Sequence, residues 1–60
     1  MWIESKKGEL LNLEKVHCIK IEPLFHNVFY YFSEKESYAE TFASLKDAQQ
    51  RMEDLKKLLK

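Results

Sequence analysis

Sixty residues carry ten basic and ten acidic side chains, with one cysteine, one glycine and one proline. That length allows a single domain, 1–60, and a chain of this size buries only about 60% of the surface its unfolded form exposes. Balanced charge removes the basic excess on which nucleic-acid modules rely, the lone Cys18 excludes an internal disulfide, and no apolar run nears the roughly 20 residues of a membrane span.

In chain order, "MWIES" reads as a short extended segment ending in the turn "KKG". Gly8 there supplies the positive φ of a tight hairpin loop. "ELLNL" returns beside it, and Asn12 with Glu14 and Lys15 marks a second bend. In "VHCIKIE", His17, Ile19 and Ile21 alternate with Cys18, Lys20 and Glu22, the pattern of a half-buried strand. Pro23 ends it, because proline cannot donate to a ladder. "VFYYFS" is the third long strand, "EKES" a polar turn and "YAETF" a further short strand. Such short connections exclude parallel crossovers and predict an antiparallel meander.

The period then changes. Ser44 with Asp47 three residues on is a capping signature. Leu45, Ala48, Met52, Leu55 and Leu59 follow at steps of three and four, a helical stripe widened by Leu58. Asp47 in the first turn and Lys56, Lys57 and Lys60 in the last suit the helix dipole, and Asp47–Arg51 and Glu53–Lys57 are expected as i,i+4 pairs. The stripe is too short for a coiled-coil seam, and the strands need a cover. The expected fold is therefore α+β: a small antiparallel β-meander of three to five strands, about 1–42, packed on one face by a single C-terminal α-helix, about 45–59. Val28, Tyr30 and Phe32 are expected to face the helix, since that set supplies three residues against two. Phe29 and Tyr31 then face away.

The residues Met1, Trp2, Ile3, Gly8, Leu10, Asn12, Leu13, Val16 and Ile19, followed by Ser44, Ala48, Met52 and Leu55, form a pattern "MWI…G.L.NL..V..I" with a closing helix. In this the chain resembles a group of short uncharacterised bacterial and phage proteins. The resemblance spans nearly the whole chain. It rests on turn and core residues, so it implies a fold and brings no chemistry.

Nothing in the sequence composes a catalytic site. His17 and Cys18 are strand neighbours that face opposite sides, and with His26 they show no metal-ligand spacing. The carboxylates are read as solvated, and a single glycine excludes a phosphate-binding loop. The chain is thus expected not to be an enzyme, with no cofactor, no metal and no small-molecule substrate. A lone thiol suits a reducing compartment, and charges interrupt any signal-peptide pattern in "MWIESKKGE", so a cytoplasmic location without membrane attachment is expected.

What remains is association. Trp2, Phe29 and Tyr31 are expected to form an outer patch that no helix covers, and the interface of a homodimer or of a complex with another protein. The alternative is stacking of single-stranded nucleic acid on these rings beside Lys20. Glu4, Glu22 and the neutral charge argue against it.

Overall fold

The computed structural model describes residues 1–59, so Lys60 and its expected place in the last helical turn lie outside the described residues. The chain opens with a hairpin of β1 (Trp2–Glu4) and β2 (Leu10–Asn12). Gly8 turns it at φ 85°, where any Cβ would be strained. Asn12 caps a short 3₁₀ turn, Leu13–Lys15, by accepting the Glu14 N–H at 3.1 Å. This is the second bend expected from the sequence.

Three longer strands follow: β3 (Cys18–Glu22), β4 (Asn27–Tyr31) and β5 (Ser37–Thr41). They pair antiparallel in the order β3-β4-β5, separately from the hairpin. The β3–β4 connection falls at Pro23, as expected, and the Glu22 carboxylate accepts the N–H groups of Leu24 and Phe25. His26 takes φ 59° there, so Phe25 and His26 belong to the turn and the aromatic strand begins at Asn27. The β4–β5 turn is capped by the Ser33 hydroxyl, which accepts the N–H groups of Lys35 and Glu36.

The helix α1 (Leu45–Leu58) starts where the capping signature placed it, with Ser44 Oγ accepting the Asp47 N–H at 3.2 Å. It packs on β4 and β3. The core joins Ile3, Leu11 and Leu13 from the hairpin side, Val28 and Tyr30 from β4, and Ala48 and Leu55 from α1. Val28 and Tyr30 are the inner set expected, and Phe32 packs half-buried against them. The buried helical stripe is shorter than its periodicity implied: Leu58 and Leu59 are exposed, at 46% and 54%.

Two expectations about charge are corrected. Arg51 does not pair with Asp47. It sits three residues after Ala48 and four before Leu55, which puts it on the buried stripe, and it turns into the sheet. Glu53 meets Lys56, at 3.4 Å, rather than Lys57.

Candidate functional site

The most chemically distinctive feature is a carboxylate beneath the helix. Along β5 the residues Tyr38 and Glu40 share the parity that faces α1, because Tyr38 lies opposite Tyr30 and Glu40 opposite Val28. Glu40 is therefore only 2% exposed, which corrects the reading of all carboxylates as solvated. Both its oxygens are occupied. Oε1 accepts from the Tyr30 hydroxyl and from Arg51 Nε at 3.0 Å; Oε2 accepts from Arg51 Nη2 at 3.1 Å and from the Lys6 backbone N–H at 3.0 Å. Arg51 Nη2 also donates to the Glu4 carbonyl at 3.0 Å. One guanidinium thus fastens helix, sheet and hairpin together.

The electrostatics fit a structural clasp. Burial, then the hydrogen bond to Glu40, pushes the Tyr30 hydroxyl well above the usual tyrosine range. Burial works against the charged form of Arg51, but its bonds to Glu40 and Tyr30 outweigh that and raise it. Four donors fill the acceptor positions of the Glu40 carboxylate within the fold. Beside them, Ser5 Oγ accepts the Glu9 N–H, and the Tyr38 hydroxyl lies 3.0 Å from both Ser5 Oγ and Glu9 Oε1. Lys6 Nζ donates to the Thr41 carbonyl at 3.0 Å and lies 4.9 Å from the centre of the Phe42 ring. The hairpin tip is thereby tied to the outer edge of β5.

The expected interface residues fall on two different surfaces. Phe29 and Tyr31 lie on the face of β4 opposite α1, half-buried, with ring centroids 6.0 Å apart and planes inclined by 27°. Cys18, Lys20 and Ala39 border them, since Cys18 lies opposite Tyr31, and Lys20 and Ala39 opposite Phe29. Trp2 belongs to the other sheet. It lies opposite Asn12, 63% exposed, on the hairpin face that also carries Leu10 at 67%. Glu22 shares the outer face but is engaged by the turn that follows it. His17 is exposed just before β3 and donates its N–H to the Tyr31 carbonyl at 2.8 Å, rather than alternating inward with Ile19. Among the described residues, no three His, Cys, Asp or Glu side chains gather as a metal-ligand group.

A third surface runs between β3 and α1. One end is a mostly apolar groove of about 260 Å3, walled by Leu13, Val16, Ile19, Met52 and Leu55, with Lys56 and His17 at its rim. It continues past Ile21 and Met52 to Lys46, Gln49 and Lys56. The alternation of "VHCIKIE" showed the apolar side of β3, but nothing in it showed that the helix would leave this seam open.

Compared with known protein families, curated proteins and solved structures, the chain matches none.

Proposed function

We propose that the protein acts by association, and that two copies meet through the outer face of the three-stranded sheet. The observation that carries this is the Phe29–Tyr31 pair, which stands on the face α1 leaves uncovered. A twofold axis, the commonest closed symmetry, sets this same patch of each copy against the other. Ala39 on one side keeps the approach open, and Lys20 on the other keeps the rim wet.

The face is small. Three strands at about 4.8 Å spacing and five residues at about 3.4 Å span roughly 14 by 17 Å. Trp2, on the hairpin, adds nothing to it directly. Such an area falls below the ~800 Å2 per partner of standard interfaces, so the dimer belongs to the weak class. A cytoplasmic location and action on other proteins belong to the same reading, supported by the unpaired thiol of Cys18.

One observation favours a second reading: Lys20 lies opposite Phe29, which sets a cation beside a ring as in single-strand binders. The balanced net charge weighs against it.

Sedimentation equilibrium from micromolar to millimolar concentration tests the dimer. Twice the chain mass at the upper end, moving to the monomer in Tyr31→Lys, supports it. A wild-type chain that stays monomeric throughout, or a Tyr31→Lys variant that associates as before, overturns it.

A further inference from the structure

The two edges of the three-stranded sheet differ in what lies beside them: the hairpin tip is tied along β5, and the seam with α1 borders β3. The Phe32 N–H donates to the Glu36 carbonyl, and the Phe42 N–H to the His26 carbonyl. Bonded pairs alternate along an antiparallel ladder, so Val28 and Tyr30 bond to β5 while Asn27, Phe29 and Tyr31 bond to β3. By the register of β3 with β4, the backbone groups of Cys18, Lys20 and Glu22 face β4. Those of Ile19 and Ile21 therefore face outward. On β5 the backbone groups of Ala39 and Thr41 face outward by the same rule; the Thr41 carbonyl is taken by Lys6 Nζ, and the hairpin tip is tied along this edge. On β3, no partner meets the N–H or C=O of Ile19 or Ile21 among the described residues.

This open edge borders the seam between β3 and α1. Two donors and two acceptors, spaced two residues apart along a strand, match only another extended backbone. The apolar end beside them has room for side chains of an added strand. Lys56 lines this end as well, paired to Glu53 at 3.4 Å, and Lys46 stands farther along the helix wall.

We propose that β3 and α1 form a docking groove for an extended segment of another protein, which adds as a fourth strand along Ile19 and Ile21. The segment places an apolar residue against Met52 and Leu55, one acidic residue against Lys56 beside them, and another against Lys46 about 15 Å farther along the helix. This goes beyond the dimer, which uses the opposite face of the sheet and leaves the edge free.

A second copy of β3 fits the edge poorly in each antiparallel register. Pairing Ile19 with Ile21 satisfies all four groups but sets Lys20 directly against Lys20 of the second copy, a like-charge opposition. Pairing Ile21 with itself sets Ile19 against Pro23, which has no N–H. Pairing Ile19 with itself needs the His17 N–H, which is already given to Tyr31. A foreign strand has none of these conflicts.

Panning a random dodecapeptide display library on the whole chain tests the proposal. The expected winners alternate apolar residues and carry Asp or Glu. A synthetic winner should slow amide exchange of Ile19 and Ile21 by about tenfold or more, as strand pairing does. Proline placed at its centre should abolish binding. Lys56→Glu, an exposed change that leaves the fold intact, should weaken binding by about three- to tenfold. No enrichment, or a bound winner that leaves those two amides exchanging as before, overturns the groove. Neither result bears on the Tyr31→Lys test of the dimer.

Discussion

Replacing Arg51 by methionine isolates the clasp beneath the helix. The change keeps most of the side chain's length and apolar stem but removes the guanidinium. Glu40 then loses two of its four donors, at 3.0 and 3.1 Å, and its salt-bridge partner, while remaining 2% exposed. Breaking a buried pair by removing one member costs about 3–5 kcal/mol. The Arg51 side chain is itself 22% exposed, so water can reach part of the vacated space, and the loss should fall nearer about 2–3 kcal/mol. At about 0.05–0.15 kcal/mol per residue, a chain this size has roughly 3–9 kcal/mol in all. The substitution should therefore remove a large part of it. Urea unfolding followed by far-ultraviolet circular dichroism, at one fixed protein concentration, measures the loss. The double variant Glu40→Leu with Arg51→Met should recover at least about 1 kcal/mol relative to Arg51→Met alone, because no unpaired charge remains buried. A loss in Arg51→Met below about half a kcal/mol would place the arginine among ordinary surface residues and refute the clasp.

Leu55→Ala should destabilise by about 2–5 kcal/mol, since Leu55 is buried between α1 and the sheet; the same unfolding assay checks it. Tyr30 is held protonated in the fold, so its contribution is fully present below about pH 10, where free tyrosine titrates, and is lost as pH rises through the higher folded value. The unfolding free energy should therefore fall as pH rises above about 10 towards the folded value, and Tyr30→Phe should flatten that fall. Fluorescence anisotropy with a short labelled single-stranded oligonucleotide should show no useful binding at physiological salt; micromolar binding that weakens steeply with salt would favour the nucleic-acid reading.

The sequence revealed those parts of the fold that depend on local rules. Ser44 and Asp47 marked the helix start, Gly8 the hairpin, Pro23 the strand end, and the parity of Val28 and Tyr30 the inner face. Division into two sheets was less legible, because short strands such as "WIE" carry no signal of which neighbour they pair with. The clasp is legible in the pattern of Glu40 and Arg51, although the general exposure of charged residues points the other way. Glu40 alternates with Tyr38 on the inner parity, and Arg51 falls between Ala48 and Leu55 on the buried stripe. A carboxylate and a guanidinium on two facing apolar surfaces signal a buried pair. Trp2 alternates with the inward Ile3, which suggests an outer face shared with Phe29 and Tyr31, but side-chain parity says nothing about which sheet a residue joins. The open edge of β3 depends on strand order, which is not written in local periodicity.

The contact between two outer faces is measured most directly by isotope-filtered nuclear Overhauser spectroscopy on a mixture of labelled and unlabelled chains at millimolar concentration. Cross-chain peaks joining the Phe29 and Tyr31 rings of one copy to the Tyr31, Lys20 or Ala39 side chains of the other are the predicted result. A spectrum with no cross-chain peaks, or with cross-chain peaks confined to Trp2 and Leu10 on the hairpin, would contradict association through the outer face of the sheet.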